Sequence, residues 1–222
     1  MRKNHIIPIL AFVVLLDSSV KAQTKTISAS LGTQGAGLEF KYAPAADYGL
    51  HAGFSILPFK TGFAYTAQST PSDVDLKVDF QNAHLIFDWH PFVSSKGFSS
   101  FLLSGGAGYF WKNTGTAVIT TRETYKYGDI IITPESAGQL IGKVSWTRIS
   151  PYFGIGFENP RPSKRFNLGF AAGVYYLGKP KTTLTGTKLI SVDDKNNEQF
   201  SRNLDSYRFL PVLQLNLNYS LK

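Results

Sequence analysis

The stretch Leu213-Gln214-Leu215-Asn216-Leu217-Asn218-Tyr219-Ser220-Leu221 alternates apolar and polar residues up to the last position but one of the chain. Successive side chains of a β-strand project to opposite faces, so this segment predicts a strand with one apolar face. Its other face carries amide and hydroxyl groups. The strand therefore separates an apolar environment from a polar one.

The first 22 residues have the composition of a secretory signal. Arg2 and Lys3 precede an apolar run at residues 6–16, and Val20-Lys21-Ala22 follows as a small-residue cleavage site. The run is shorter than the roughly 20 apolar residues that a membrane-spanning helix needs. We therefore expect residues 1–22 to be a signal peptide and residues 23–222 to form one exported domain.

Composition excludes several classes of function. The chain has no cysteine, which excludes disulfides, thiolate catalysis and cysteine-ligated zinc. Its formal charge is +8, and removing Arg2, Lys3, Lys21 and Asp17 with the signal leaves 20 basic and 14 acidic residues, hence +6. The basic residues are scattered and no recognition helix is visible, so nucleic-acid binding is not expected. Anionic lipid headgroups and lipopolysaccharide are the expected electrostatic partners.

Seven further segments alternate in the same way as the last one. They lie near residues 24–32, 37–43, 50–56, 74–89, 101–111, 149–157 and 166–176. Alternating segments of about ten residues are typical of transmembrane strands, and exported chains can span a membrane as closed barrels. The pattern predicts an all-β fold, an eight-stranded antiparallel up-and-down transmembrane β-barrel.

Connection lengths predict the orientation of this barrel. Residues 44–47, 91–97 and 158–164 form short connections, whereas polar loops are expected at residues 58–72, 112–142 and 179–205. Outer-membrane barrels have short periplasmic turns and long outer loops. The sequence thus predicts a bacterial outer-membrane location with both termini in the periplasm.

Two changes of alternation need a local explanation. The apolar positions switch from odd to even across residues 33–36, which fits a tight turn or a bulge within one strand. They switch again near Gln81-Asn82, where we expect a β-bulge in the fourth strand.

A soluble lipocalin-like carrier is the alternative fold, with the apolar faces turned toward the lumen.

Several segments carry a resemblance to a known family. They are Ser150-Pro151-Tyr152-Phe153-Gly154-Ile155-Gly156-Phe157, Phe166-Asn167-Leu168-Gly169, Gly173-Val174-Tyr175-Tyr176-Leu177-Gly178-Lys179-Pro180, Phe87-Asp88-Trp89-His90-Pro91-Phe92 and Tyr207-Arg208-Phe209-Leu210-Pro211-Val212. From about Val74 to the end, the chain resembles a family of small, mostly uncharacterised bacterial outer-membrane β-barrel proteins, similar to OmpW-like and OmpA-like barrels. Such barrels usually end on an aromatic residue, whereas this chain ends on Lys222. The resemblance implies an architecture and the barrel-assembly machinery as a partner, but no chemistry.

Strand parity sends a set of polar side chains toward the lumen, where opposite charges should pair. The expected lumen network consists of Glu39, Lys41, Lys77, Asp79, His84, Asp88, Arg148 and Arg208. An eight-stranded barrel is just wide enough for side chains to fill it, so an open channel is not expected. The long outer loops supply a second candidate surface, with Arg122, Tyr125, Tyr127 and Ile131 as expected binding residues.

The function expected from these residues is a non-enzymatic outer-membrane barrel that acts structurally, by surface binding, or by passage of small apolar solutes. A monomer is expected, with no cofactor, no metal and no catalytic residue, and a small apolar ligand stays open as a partner. The alternative is a lipid-modifying enzyme using His84, Asp88 and His90, which share one strand face. No nucleophilic serine stands in a recognisable arrangement beside them.

Overall fold

The computed structural model describes residues 23–67, 70–95, 97–160 and 164–221, so the predicted signal peptide lies outside the described residues. The elements of the described part are β1 (Thr24–Gly32), β2 (Gly35–Ala43), β3 (Tyr48–Ala67), β4 (Thr70–Trp89), β5 (Phe101–Thr121), β6 (Tyr125–Tyr127), β7 (Ile130–Ile132), α1 (Pro134–Ala137), β8 (Gln139–Ser145), β9 (Ile149–Phe157), β10 (Phe166–Tyr176), β11 (Lys181–Gly186), α2 (Asp194–Leu204) and β12 (Phe209–Leu221).

Eight of these strands close into an antiparallel ring. Its order is β1-β2-β3-β4-β5-β9-β10-β12, and β12 pairs again with β1. Along this seam Ile27 lies opposite Tyr219, and Leu31 lies opposite Leu215. The predicted eight-stranded antiparallel barrel is therefore confirmed, with the alternating C-terminal segment as its closing strand.

The turn between β1 and β2 resolves the first change of alternation in favour of a hairpin. Residues 33 and 34 connect the two strands, and Gly32 pairs with Gly35. Gly35 has a φ of 90°, a conformation that favours glycine. A single bulged strand, the other interpretation of the sequence, is therefore wrong.

One side of the barrel continues well beyond the ring. β3 and β4 stay paired from Tyr48 with Trp89 to Ala67 with Thr70, so the loop predicted at residues 58–72 is wrong. β5 pairs with β9 inside the ring and with β8 beyond it, and β11 pairs with β8. We call the parts of β3, β4 and β5 that lie beyond the ring, together with β8 and β11, the extension. α2, which packs against β11, occupies much of the segment at 179–205 that was expected to be a loop.

Pro58 illustrates why the loop prediction failed. A proline cannot donate to a sheet ladder, and the sequence therefore favoured a loop. β2 pairs with β3 only as far as Ile56, so Pro58 lies on a free edge of β3, where no strand on that side needs an N–H donor from this position. The tertiary position of this proline makes it compatible with a strand.

The predicted bulge lies at the expected level but in the neighbouring strand. Gln81 pairs with Lys112 and Asn82 pairs with Phe110, so the extra residue is Trp111 in β5. β4 itself keeps one parity, and Phe80 lies in the interior together with Asn82 and His84. The predicted bulge in the fourth strand, which would turn Phe80 outward, is therefore wrong.

The two faces of the ring differ in polarity as the sequence predicted. Outward side chains are apolar and exposed, with Leu168 76% and Phe153 67% exposed, whereas Ser55, Asn82 and Ser150 are completely buried inside. A lipocalin-like carrier requires the opposite orientation. Among the described residues, no helix has the length and apolar composition needed to cross a bilayer.

Two adjacent glycines in β5 lead to a prediction about the packing of the ring. A Cβ atom at Gly106 would lie 2.2 Å from the carbonyl oxygen of Leu85, whereas one at Gly105 would meet no heavy atom within 4 Å. We expect Gly106→Ala to lower the free energy of unfolding by about 1–3 kcal/mol, because the backbone of β4 must move. Urea unfolding of the refolded barrel measures this.

The control for this prediction is Gly105→Ala. It adds the same methyl group one residue away, and we expect the stability to stay equal or to rise by about 0.5 kcal/mol. Equal losses for both variants would contradict the packing of β5 against β4.

Candidate functional site

A network of polar side chains fills the half of the barrel interior nearer the chain termini. Glu39 of β2 is almost completely buried, and its Oε1 accepts a hydrogen bond of 2.6 Å from Nε2 of Gln214 on β12. Gln34, from the β1–β2 turn, also bonds the Gln214 side chain. Gln214 thus binds Glu39 directly, and Gln34 holds Gln214 in place.

Charged side chains continue this network toward the termini. Nζ of Lys41 lies 2.6 Å from Oε2 of Glu158 and 3.8 Å from Oε2 of Glu39. On the neighbouring strands β3, β4 and β5, Oδ2 of Asp88 lies 2.7 Å from Nδ1 of His51, and the Ser104 hydroxyl donates to Oδ1 at 2.5 Å. Buried charges are tolerated when they are paired in this way.

His84 lies between these groups and is the least satisfied of them. Its Nδ1 is 3.1 Å from Oδ1 of Asn82, while its Nε2 has no hydrogen-bond partner and lies 3.7 Å from Oε1 of Glu39. The rings of His51 and His84 meet edge to face with centroids 5.9 Å apart. Both imidazoles thus lie beside one buried carboxylate.

An apolar cluster closes the interior on the side of the long connections. The rings of Phe110 and Tyr175 are perpendicular with centroids 5.2 Å apart, and Tyr175 lies 4.8 Å from Tyr152. Phe110 and Tyr175 are fully buried. We call Phe80, Ile86, Phe110, Tyr152, Tyr175, Leu177 and Val212 the aromatic plug.

Two small cavities remain on the terminal side of the plug. One of about 30 Å³ is lined by Glu39, His51 and His84, and one of about 50 Å³ opens toward the β2–β3 and β9–β10 connections. Lys41, Asp88, Leu102 and Glu158 line both. These spaces hold water molecules or an ion and are too small for a larger solute.

The structure brings together half of the predicted lumen network and disperses the rest. Glu39, Lys41, His84 and Asp88 lie in the lumen. Lys77, Asp79, Arg148 and Arg208 do not, and these placements correct the sequence analysis.

Each of the four dispersed residues has its own location. Lys77 and Arg148 are exposed, and Asp79 lies on the outward face, 3.2 Å from Nζ of Lys112. Lys77 and Asp79 face outward because β4 keeps the same alternation along its whole length. Arg208 lies before β12, where its Nη2 donates to Asp205 at 2.6 Å. Hydrogen bonds from Lys179 and Arg208 lower the pKa of Asp205 below its usual value.

Two of the three residues considered for an enzyme, His84 and Asp88, have hydrogen-bond partners outside that group. Asp88 bonds His51 and Ser104, and His84 bonds Asn82. The serine hydroxyl donates to the carboxylate and not to an imidazole. Nucleophilic catalysis requires a base within hydrogen-bond reach of its nucleophile, and the Ser104 contact does not supply that arrangement.

The expected loop residues lie beyond the ring. Arg122 follows β5, and its Nε donates to Oδ1 of Asp73 at 2.8 Å, which lowers the pKa of that carboxyl group. Tyr125 and Ile131 are exposed on the two strands of the β6–β7 hairpin. Tyr127 belongs to the same hairpin, where its backbone pairs with Ile130. The hairpin thus presents the side chains of Tyr125 and Ile131 to solvent.

Sequence reasoning missed Gln34, Ser104 and Glu158 as members of the lumen network. Gln34 and Glu158 belong to connections, and nothing in the sequence distinguishes a connection residue that reaches into the barrel from one that faces water. Ser104 lies within β5, directly opposite Asp88 of β4. Its contact with Asp88 depends on the register of β4 and β5.

A row of lysines on the outward face of the extension was also missed. Lys60 lies directly opposite Lys77, Lys77 opposite Thr116, and Thr116 opposite Lys143. We call Lys60, Lys77 and Lys143 the lysine row. All three are exposed, and among the described residues none has a carboxylate within 4.0 Å. The row appears only when β3, β4, β5 and β8 are aligned.

The barrel is similar in structure to two proteins of Acinetobacter baumannii. The crystal structure of CarO2 is matched with a TM-score of 0.65 and 22% identity, over 90% of this chain and 98% of that one. The crystal structure of CarO is matched with a TM-score of 0.64 and 20% identity, over 92% of this chain and 100% of that one. No family model and no curated protein sequence matches the chain. The similarity to CarO2 and CarO shows that this chain shares their fold over nearly its whole length.

Proposed function

We propose that this protein is an outer-membrane β-barrel that is closed to bulk diffusion and that binds phosphate groups of lipopolysaccharide through the lysine row. The barrel crosses the membrane with its termini in the periplasm. Its extension then projects on the outer side, and its role is binding at a surface and not catalysis.

The continuous apolar exterior supports the membrane assignment. Outward side chains on both sides of the seam, such as Ile27, Leu31, Leu215 and Leu217, are large, apolar and exposed. Leaving such a belt in water is unfavourable by about 25 cal/mol for each Å² of apolar surface. Lipid tails remove this penalty, and a closed ring leaves no unpaired strand edge within the bilayer.

The lysine row is the single observation that carries the binding proposal. Like charges directly opposite each other destabilise a sheet, so a row of three exposed amines without carboxylate partners indicates an external counter-ion. Lys60 lies on the same face as Ile56 of the apolar belt, four residues farther along β3. That distance is about 13 Å along the strand at about 3.3 Å per residue, or about 10 Å along the membrane normal for a strand tilted by about 40°, so Lys60 lies beyond the apolar belt. Phosphates attached to the lipid are the anions available there.

The aromatic plug supports a closed lumen. Phe110 and Tyr175 are completely buried and fill the interior below the extension. Passage of a small apolar solute, another role expected from the sequence, would require these rings to move apart. The binding surface therefore lies on the outside of the barrel.

Cell fractionation together with gel migration of folded and boiled samples tests the membrane assignment. We expect the protein in the outer-membrane fraction, with faster migration before boiling. Proteinase added to intact cells should cleave the extension and spare the termini. Recovery of the chain as a soluble periplasmic protein would overturn the proposal.

Replacing the lysine row tests the binding partner. We expect the triple variant Lys60→Gln, Lys77→Gln, Lys143→Gln to bind purified lipopolysaccharide about 100-fold more weakly, from about 1 kcal/mol for each lysine near an anionic surface. Calorimetry with lipid A, with and without its phosphate groups, measures this. Wild-type protein should bind lipid A without phosphate groups about 100-fold more weakly than lipid A that carries them.

The matched control changes three lysines outside the row. Lys126→Gln, Lys164→Gln, Lys195→Gln alters the net charge equally, and we expect binding within a factor of about three of wild type, because exposed charges beyond a Debye length of about 8 Å are screened. Equal losses in the two triple variants would contradict a specific site.

A further inference from the structure

We propose that Glu39, His51 and His84 form a binding site for a divalent transition-metal ion inside the barrel. Each of the three residues offers a ligand atom, and these atoms all lie within 4.8 Å of one another. Two imidazoles and one carboxylate are a ligand set that binds zinc and similar ions, with further positions left to water. The side chains come from three consecutive strands of the ring, β2, β3 and β4.

The free atoms of these residues point to a missing ligand. Nε2 of His84 and Oε2 of Glu39 are buried without a hydrogen-bond partner. Both side chains are only 1% exposed. A buried polar atom without a partner is destabilising, and groups of this kind in a folded protein need an explanation. A metal ion between them would satisfy both atoms at once.

The contacts around the three residues are those of a metal centre. Nδ1 of His51 is bonded to Asp88, which leaves Nε2 as the free nitrogen of His51. Nδ1 of His84 faces the Asn82 amide oxygen, which likewise leaves its Nε2 free. Gln214 donates to Oε1 of Glu39 and leaves Oε2. Metal-binding histidines nearly always direct the other ring nitrogen to a carboxylate or carbonyl oxygen in this way.

The charge balance of the lumen also favours a cation. Glu39, Asp88 and Glu158 carry three negative charges, and Lys41 carries one positive charge. These four groups together carry two net negative charges. A divalent ion compensates them, and the nearer contact of Lys41, 2.6 Å to Glu158 against 3.8 Å to Glu39, leaves Glu39 available.

Space and access are present on the terminal side. The cavity of about 30 Å³ is lined by all three residues. It shares Lys41, Asp88 and Glu158 with the cavity of about 50 Å³ near the short connections. An ion enters from the end of the barrel that carries the termini, because the aromatic plug closes the other end.

Metal binding by the refolded full-length mature barrel in detergent micelles tests this inference. Zn²⁺ is titrated by calorimetry, and Co²⁺ is added in parallel because its visible absorption reports nitrogen and oxygen coordination. We expect one ion per chain, and at least about a 100-fold weaker affinity for both Glu39→Gln and His84→Gln. Asp88→Asn, which removes the carboxylate beside His51 and leaves the three ligands in place, should weaken binding about 10- to 100-fold.

His90→Gln is the matched control, because His90 lies beyond β4 and outside the three ligands. We expect this variant to bind as wild type does. Migration before and after boiling verifies that each variant is folded, and Gln at position 39 keeps an amide oxygen for the contact with Gln214. Absence of binding to the folded wild type, or equal binding by wild type and His84→Gln, would overturn the inference. Neither result bears on lipopolysaccharide binding, which uses the outer face.

Discussion

Replacing Phe110 with Ala is expected to lower the free energy of unfolding by about 3–5 kcal/mol, the range for truncating a buried aromatic side chain. Phe110 is completely buried, with Tyr175 on one side and Phe80 on the other at ring-centroid distances of 5.2 and 6.2 Å. Removing the ring leaves a cavity between two aromatic side chains that are fixed to different strands. The surrounding barrel cannot collapse to fill it, because its backbone is held by closed ladders.

Urea unfolding from lipid vesicles, followed by tryptophan fluorescence, measures this effect. The control is Phe98→Ala, in the connection between β4 and β5, where the side chain is 63% exposed. We expect a change within about 0.5 kcal/mol for this surface position. If both variants lose the same stability, the aromatic plug is not a packed core.

Replacing Leu217 with Arg has the second largest expected effect, a loss of about 2–4 kcal/mol when the barrel is folded in a bilayer. Leu217 lies in the middle of the outward face of β12, between Ala29 and Leu168 on the neighbouring strands. A guanidinium group at this position must be desolvated by lipid tails or must distort the bilayer. The loss should be much smaller for a barrel folded in water, where the outward face would contact solvent.

Leu189→Arg is the control for this prediction. Leu189 lies between β11 and α2 and is 65% exposed, compared with 49% for Leu217. We expect this exchange to change the stability in vesicles by less than about 0.5 kcal/mol, because the new charge remains in water. If Leu217→Arg left the free energy of unfolding in vesicles unchanged, this face of the barrel would not contact lipid.

The closing strand shows how far local sequence determines this fold. The alternation from Leu213 to Leu221 predicted both its conformation and its two faces, since side-chain direction in a strand depends only on position along the chain. The partners of β12 were inferred from strand count, and the register with Lys25–Gly32 became visible only in the closed ring.

Phe80 and Trp111 show where alternation is insufficient. Both lie near the level at which interior side chains change from polar to apolar, and the sequence shows only that the apolar positions shift. A bulge in either strand produces the same shift, and only the pairing of Gln81 with Lys112 assigns it to β5. The orientation of Lys77 and Asp79 followed from this choice and was therefore predicted wrongly.

The lumen network was also predicted only in part from the sequence. Parity placed Glu39, Lys41, His84 and Asp88 on inward faces, because each lies within a regular strand. The contacts among them depend on the stagger of neighbouring strands and on connection residues such as Glu158, which reach the lumen only in the closed barrel.

The amino-acid sequence alone determined that the chain forms alternating strands with an apolar and a polar face, because the two-residue period is a property of the backbone. The tertiary structure decided which residues meet. The pairing of β2, β3 and β4 brought the ligand atoms of Glu39, His51 and His84 within 4.8 Å of one another, and strand register aligned Lys60, Lys77 and Lys143. Both groupings join residues that are distant in the chain, and their separations are set by hydrogen-bond ladders between strands rather than by local preferences.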